Sequence, residues 1–560
     1  MHSRLNPDSC LRTHGTNRLT LDMTQDKVLD MKDVELNEID PEKQPMATGA
    51  EDPPVGGGGE KNGVVKVKLE DEDDDDSNRA QKFTGLSKEE LLKVAGTPGW
   101  VKVRWALLIL FWLGWLGMLA GAVVIIVQAP RCRPLPVMEW WNKGPLYQLG
   151  DPDTFQDSNA DGVGDIAGIQ DRLDSLSTLK VKGLVIGPLH ATAALSDAKF
   201  TEIDTKYGTV DDLKKLLEAA RKKSIQIILD LTPNDGGSSS WSNGTAPELL
   251  NNIKEAMNFW LDFGVGGIYF NGIESIDNPG EVLEELRNIT ANHSSDGKAR
   301  VLLTSAIDPL SDNILTMLND TAGGLLTARY LINNDNSSEG SLGNRIKQYQ
   351  QVASEQDWIL WAVRPRLGHM ASAVHEKLLR VYQLLLFTLQ GTPLTLYGDE
   401  IGLKDLPGQP AASSPYMQWD DSKNHGFSQG EREIKPNVNE NITFKGQEDN
   451  KDSILSVYKR LSELRGKERS LLHGDFTLLH QSDTSLAYER SWDQNERFVS
   501  VVNFDPDMEI SVTITHANLP EQCTVVLSSN SERKEGSSIS LKDLKLVPGE
   551  ALLLKHPYSG

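Results

Sequence analysis

The sequence predicts a single transmembrane helix followed by an α/β ectodomain, a (β/α)8 barrel of the TIM type that leads into a small antiparallel β-sandwich. Three observations carry this. Residues 105–127, WALLILFWLGWLGMLAGAVVIIV, are apolar and uncharged. Beyond residue 140, short apolar runs alternate with amphipathic helical stretches, the pattern of parallel strands covered by helices. After about Leu472 the strands continue without helices.

Residues 1–81 form a tail rich in Asp, Glu, Pro and Gly that ends in the acidic run Glu70 to Asp76. Low hydrophobicity with high charge predicts disorder, and nothing in the run fixes its carboxylates in a metal geometry. In the juxtamembrane segment 82–104, Ser87 and Glu90 have capping-box spacing ahead of Leu91 and Leu92, which predicts a short helix. Gly96, Pro98 and Gly99 are expected to end it.

The 105–127 stretch has the length of one bilayer crossing, at about 1.5 Å of rise per residue against a hydrocarbon core of roughly 30 Å. It is too long and too far from the N-terminus for a cleaved signal peptide, and it lacks the polar face of a buried helix in a soluble domain. Gly117 and Gly121 make a small-xxx-small pair that would let another helix approach, with Gly114 one turn earlier on a neighbouring face. The plain alternative is that glycine is common in membrane helices.

Flanking charge sets the orientation. Lys82, Lys88, Lys93, Lys102 and Arg104 precede the helix, whereas only Arg131 and Arg133 follow closely, which favours a cytoplasmic N-terminus. The sequons agree: Asn243, Asn288, Asn292, Asn319, Asn336 and Asn441 all lie after the helix, as candidate N-glycosylation sites on a luminal and then extracellular part. The expectation is a single-pass type II glycoprotein with a signal-anchor.

The 560 residues carry a formal charge of −23, of which residues 1–80 hold −9, residues 81–130 hold +3 and the remainder −17. An acidic exterior argues against nucleic acid and against docking on anionic lipid. Three cysteines exclude a disulfide scaffold. Cys10 falls in the cytoplasmic tail, and Cys523 shares a strand face with Val525 and Leu527, as a small buried apolar residue would. Cys132 is left in the extracellular connector 128–139 without a partner of its own.

The barrel is expected over 140–470 and the sandwich over 471–560. Buried strands are predicted at 183–188, 225–231, 267–270, 301–305, 358–363 and 393–398. Val210, Leu213, Leu216, Leu217 and Ala220 share one face of a predicted helix.

Two stretches, FQDSNADGVGDIAGIQDRLDSLSTLKVKGLVIGPLH at 155–190 and LLFTLQGTPLTLYGDEIGL at 385–403, resemble the α-amylase superfamily. Residues 155–190 are similar to its opening strand, helix and second strand, and residues 385–403 to its seventh helix and eighth strand. That family cleaves glycosidic bonds with a carboxylate nucleophile and a carboxylic acid about 5 to 5.5 Å apart at the C-terminal ends of the strands. Here Asp230 and Asn234 match the third-strand motif, but Asp235 stands where a histidine is usual. Tyr269 replaces the fourth-strand arginine, Asn271 takes the nucleophile position, and Thr304 and Ser305 stand where the acid belongs. Val363, Arg364 and Pro365 occupy the place of the seventh-strand Asn-His-Asp. An amide oxygen is a poor nucleophile and an aliphatic hydroxyl too weak an acid, so no catalytic residue is assigned.

Only about 30 residues separate the third and fourth strands, so the inserted domain that walls the sugar cleft in relatives is expected to be absent. Asp157, Asn159, Asp161 and Asp165 resemble a calcium loop of some relatives, with an acidic turn stabilised by its own backbone as the plainer alternative. No cofactor or metal is assigned.

An enzyme-like but catalytically empty ectodomain on a type II anchor resembles the heavy subunits of the heteromeric amino-acid transporters, and MKDVELNEIDPEKQPM at 31–46 resembles the start of their cytoplasmic tail, residues 1–22 being an extension. The resemblance implies a polytopic light chain that carries the amino acids, joined through a disulfide at Cys132 and brought to the plasma membrane by this chain. It also implies a link to integrin signalling through integrin β subunits. A free thiol or a lipidated cysteine are the other fates of Cys132, the luminal side arguing against lipidation. The rival class is a membrane-anchored α-glycosidase with displaced carboxylates.

Overall fold

The computed structural model of the chain describes residues 88–128, 133–150, 152–190, 199–235, 238–239, 247–273, 276, 278–294, 298–305, 325–332, 342–352, 358–364, 368–407, 414–434, 437 and 441–558. The chain separates into two units, Met1–Leu116 and Gly117–Gly560.

In the first unit, α1 (Lys88–Ala95) forms the short helix that the capping pattern predicts, although Ser87 lies outside the described residues. Gly96 N–H closes back on Leu92 O at 3.1 Å. The helix ends at Ala95, before Gly96, Pro98 and Gly99 as expected, and Pro98 and Gly99 also open α2 (Pro98–Gln128), which runs on past Leu116 into the second unit. Proline is well suited to a first helical turn, because the N–H it lacks would be unsatisfied there in any case. The helix has 31 residues, so it extends ahead of Trp105 to include Lys102 and Arg104. Its large apolar side chains are exposed along its length, from Trp105 at 63% to Val127 at 76%.

The second unit contains the closed barrel. Its strands are β1 (Leu146–Gly150), β2 (Gly183–Ile186), β3 (Gln226–Asp230), β4 (Gly267–Asn271), β5 (Val301–Ser305), β6 (Leu325–Tyr330), β7 (Leu360–Ala362) and β8 (Thr392–Leu396). All neighbours are parallel and β1 closes on β8, with Leu146 opposite Leu394. Six of the eight coincide with the apolar runs read from the sequence; β1 and β6 do not. The opening strand precedes the 155–190 stretch, whose first residues form a loop instead.

Around the barrel run α3 (Ile166–Asp171), α4 (Leu173–Thr178), α5 (Val210–Lys222), α6 (Pro247–Phe263), α7 (Pro279–Asn292), α8 (Leu342–Val352), α9 (Leu379–Thr388), α10 (Ile454–Lys467) and α11 (Arg469–His473). In α5, Leu213, Leu216, Leu217 and Ala220 are buried as their spacing predicts, while Val210 is 38% exposed at the first turn. The barrel interior is filled by Leu146, Val185, Ile228, Tyr269, Leu303, Leu326, Ala328, Leu360 and Leu394. It is therefore a packed core rather than a channel.

The C-terminal part is a six-stranded sheet in the order β9-β10-β11-β16-β13-β14, faced by a two-stranded ladder of β12 with β15. These strands are β9 (Asp475–Gln481), β10 (Ser485–Ser491), β11 (Arg497–Asn503), β12 (Ile510–Val512), β13 (Gln522–Ser528), β14 (Ser538–Ser540), β15 (Leu544–Leu546) and β16 (Ala551–His556). All pairings are antiparallel. Val499, Val501, Val512, Leu544, Leu552 and Leu554 form a core between the two layers, and free Cys523 is buried in it.

Two fully buried arginines meet at the end of α9, and one of them, Arg490 of β10, ties the sheet to the barrel. Arg465 donates to Phe387 O and Leu389 O at 3.0 and 3.2 Å, and Arg490 donates to Thr388 O at 2.6 Å and Gly474 O at 2.8 Å. Both guanidiniums thus meet the carbonyls left open at the C-terminal end of α9, where positive charge is favoured.

Candidate functional site

Catalysis in a barrel of this kind would sit where the strands end. On β4 the alternation of side chains puts Tyr269 and Asn271 on the inner face, and register places Asn271 opposite Ser305 of β5. Ser305 therefore points inward, whereas Thr304 shares the outer face with Leu302.

The Tyr269 hydroxyl donates to Ser305 Oγ at 2.8 Å, and Ser305 donates in turn to Asn271 Oδ1 at 2.5 Å. The Asn271 backbone N–H is held by Thr232 Oγ1 at 2.8 Å, and the Thr232 N–H by Asp230 Oδ1 at 2.8 Å. Burial, then Tyr330 and Asp230 nearby, push the Tyr269 phenol well above its ordinary range. It stays a neutral donor.

At the nucleophile and acid positions this relay offers hydroxyls and an amide, none of which supplies the carboxylate pair that glycoside cleavage needs. Asn234 and Asp235 form a two-residue ladder with Ser238–Ser239. Val363 is buried, and Pro365 lies outside the described residues.

Near the seventh and eighth strands, a histidine and carboxylates do meet, though below the surface. His369 Nδ1 is 2.7 Å from Asp405 Oδ1, and Nε2 is 2.8 Å from Tyr397 O. Both ring nitrogens face acceptors, which requires both to carry protons. Burial works against that charge, but Asp405, Asp399 and the carbonyl raise the His369 pKa overall, while Asp405 is held below the usual carboxylate range despite its burial by the same histidine. Desolvation pushes Asp399 up to about 6 and Glu400 up to about 7. Asp399 accepts the Met370 N–H at 2.8 Å and Glu400 accepts the Tyr147 hydroxyl at 2.9 Å. At 1% side-chain exposure His369 cannot meet a sugar, so the cluster is a buried structural brace.

The acidic turn uses its oxygens internally. Asp157 Oδ1 accepts the N–H groups of Asn159 and Ala160, and its Oδ2 accepts Gly162 N–H and the Ser428 hydroxyl. Asn159 and Asp161 each cap the residue two positions on, and Asp165 caps α3 through Gly168 N–H at 2.6 Å. Among the described residues, no group of three or more His, Cys, Asp or Glu is placed to hold a metal.

The other candidate surface is the apolar helix. A Cβ built at Gly114, Gly117 or Gly121 meets nothing within 4 Å. No segment of this chain covers those glycines among the described residues. Asn288 and Asn292 are exposed one turn apart at the end of α7, and Asn441 is exposed in the turn before Thr443. Asn243, Asn319, Asn336 and Cys132 lie outside the described residues.

One feature of the connector was invisible in the sequence. Arg133 donates to Asp475 Oδ2 at 2.7 Å, its backbone N–H reaches Asp493 Oδ2 at 3.2 Å, and its guanidinium lies 4.5 Å from the centre of the Trp492 ring. No local pattern could announce contacts that span 342 and 360 positions.

Residues 66–147 match the family model described as Solute carrier family 3 member 2 N-terminus, and residues 151–245 and 345–474 match Alpha amylase, catalytic domain. The chain is 47% identical over 554 residues to the amino acid transporter heavy chain SLC3A2 of Oryctolagus cuniculus, covering 96% of this chain and all of that relative. The SLC3A2 heavy chain of Rattus norvegicus is 46% identical with the same coverage. The SLC3A1 heavy chain of Homo sapiens is 26% identical, over 85% of this chain and 86% of that one. Among solved structures, trehalulose synthase MutB of Pseudomonas mesoacidophila MX-45 superposes with a TM-score of 0.61 at 18% identity, covering 75% of this chain and all of that one. That likeness speaks for the fold alone.

Proposed function

Since this chain belongs to the SLC3A2 family of amino acid transporter heavy chains, we propose that it is the non-catalytic heavy subunit of a heteromeric amino-acid exchanger. In this reading a polytopic light chain carries the amino acids, and this chain stabilises it and brings it to the plasma membrane. The orientation is type II, with glycans on the ectodomain sequons. Cys132 forms the disulfide to the light chain, and Gly117 and Gly121 pack against one of its helices. Integrin β subunits are further partners of the same reading, by resemblance.

The observation that supports it is the relay of Tyr269, Ser305 and Asn271, which puts hydroxyls and an amide, and no carboxylate, at the nucleophile and acid positions among the described residues. The helix supports it too: α2 has no charged residue after Arg104, so it cannot line a polar path by itself and needs a partner that does.

Membrane extracts run on non-reducing and reducing gels test the covalent link. A higher-mass band that disappears on reduction and in Cys132→Ser is the expected result; a monomer under both conditions would sink the disulfide. An assay with small α-glucosides separates the enzyme reading, since turnover abolished by a barrel-mouth substitution would overturn the non-catalytic assignment.

A further inference from the structure

Arg133 is the first described residue after the apolar helix, and it is seated in a cradle built by the C-terminal sheet. Antiparallel pairing of β9 with β10 sets Asp475 opposite Ser491, which brings Asp475 beside Trp492 and Asp493 in the turn after β10. That turn is stiff. Asn495 donates to Trp492 O through its backbone N–H at 2.9 Å and its side chain at 3.1 Å, and Asp493 sits at φ +46, an uncommon backbone region for a non-glycine residue.

Trp492 is buried, with the His473 ring standing edge-on to it at 4.4 Å between centroids. Arg133 closes over the Trp492 ring, and its charge and its backbone are taken by two different aspartates. Residues 134–137 are exposed, Leu135 at 57% and Val137 at 94%, and the chain is next tied down where Glu139 N–H meets Asn142 Oδ1 and Trp140 Nε1–H meets Ala299 O. Residues 134–137 thus run exposed between two anchored points, Arg133 and the 139–140 pair.

Chain geometry gives the pin its significance. Gln128 ends α2 and Arg133 lies five residues on, a span of at most about 18 Å even when fully extended. The residue at position 132 is covalently next to the pinned one.

We propose that Arg133 is a positioning residue: the Asp475–Trp492–Asp493 cradle is a docking site for the chain's own membrane-proximal arginine, and it fixes the point from which the ectodomain is tethered. Its consequence for assembly rests on the reading of Cys132 as the covalent link, because a pinned Arg133 confines where that thiol can meet a partner. The ion pair is half exposed, at 52% and 57%, and alone would bias the connector little. With the cation–π contact and the backbone hydrogen bond added, the docked form is favoured on the order of tenfold.

The test uses the full-length chain, purified in detergent without a partner. Trypsin cleaves after Arg131 but not at the Arg133–Pro134 bond, so the rate of ectodomain release reports the opening of the connector. Asp475→Asn, which removes the charge facing the guanidinium, and Asp493→Gly, which removes the acceptor of the Arg133 N–H and suits the positive φ there, leave the protease site's own sequence intact; each is expected to speed release several-fold, with Arg133→Lys falling between wild type and Arg133→Gln. Because one clamp is involved, combining Arg133→Gln with either aspartate variant should add little. Unchanged rates, or accelerations that multiply fully in the double variants, would overturn the clamp. A global melting temperature held within a degree or so excludes a folding defect as the cause.

In cells with the light chain, the same aspartate variants should lower the disulfide-linked fraction several-fold at equal total protein. If wild type shows no covalent band, the heavy-subunit disulfide fails while the protease rates still decide the clamp. If the band is present and the rates do not respond, the clamp fails and the heavy-subunit reading stands.

Discussion

Ser305 donates a hydrogen bond to Asn271 Oδ1 at 2.5 Å, so the two positions that would hold the acid and the nucleophile of a glycosidase are bonded to each other instead. The amide is spent on a neighbouring strand and the hydroxyl is already committed as a donor. Ser305→Ala removes the middle of the relay, and with it the bonds that Asn271 Oδ1 and the Tyr269 hydroxyl make to Ser305. A loss of about 1–3 kcal/mol in chemical denaturation is expected. Activity toward α-glucosides should stay at background in both proteins, and also in Asn271→Asp, which returns one carboxylate without its partner.

The buried cluster at the end of β8 predicts a pH dependence of stability. Glu400 is raised to about 7 and Asp399 to about 6, in each case chiefly by burial. A carboxyl whose folded pKa lies above its unfolded value contributes stability that is full below the unfolded pKa and is lost as pH rises through the folded one. His369, also raised, acts in the same direction; Asp405, lowered, contributes stability present at neutral pH and lost in acid. Stability should therefore fall from about pH 4.5 to 7. Glu400→Gln, which keeps an acceptor for Tyr147 without the charge, should flatten that fall and gain up to about 3 kcal/mol at pH 8. Equal pH slopes for wild type and variant in thermal melts would contradict this.

How far the sequence carried this picture depended on where the information was local. Strands with an apolar run at their heart, IIL in β3 and VLL in β5, announce themselves. By contrast, β1 is LYQLG, with a glutamine at its centre and Gly150 at φ +64, and β6 is LLTARY, where the guanidinium of the buried Arg329 lies 5.4 Å from the centre of the Tyr349 ring of α8. Their polarity is offset by tertiary partners that a single sequence does not reveal. The residue types at the barrel mouth were legible through the resemblance, but the bonding of Ser305 to Asn271 was not. His369 with Asp405, and Arg133 with Asp475, are assembled by topology.

Arg490 offers a sharper test of the seam between barrel and sheet. It is fully buried, donates to the carbonyls of Thr388 and Gly474, and has its pKa lowered to about 10, chiefly by burial. Arg490→Met keeps volume but strands the Thr388 carbonyl at the end of α9, where Tyr488 also meets Thr388 Oγ1 at 2.5 Å, and the Gly474 carbonyl after α11. The expected loss is about 2–4 kcal/mol, read in urea denaturation, with a larger loss for Arg490→Ala because a cavity is added. A neutral Arg490→Met would show that the seam is held by apolar packing alone.

The glycines of α2 separate folding from association. A Cβ at Gly117 or Gly121 meets nothing among the described residues, and leucine is the better helix former, so Gly117→Leu and Gly121→Leu should leave expression and helix content unchanged or improved. Any defect must then arise from another membrane helix that approaches closely there. Co-purification of the light chain in mild detergent, measured in a Cys132→Ser background so that no covalent bond masks the loss, should fall several-fold in the double leucine variant. Substitution at Leu116 or Leu119, which changes the helix without filling the small-residue groove, serves as the control. Equal recovery of the light chain from all of these would place the helix contact on another face.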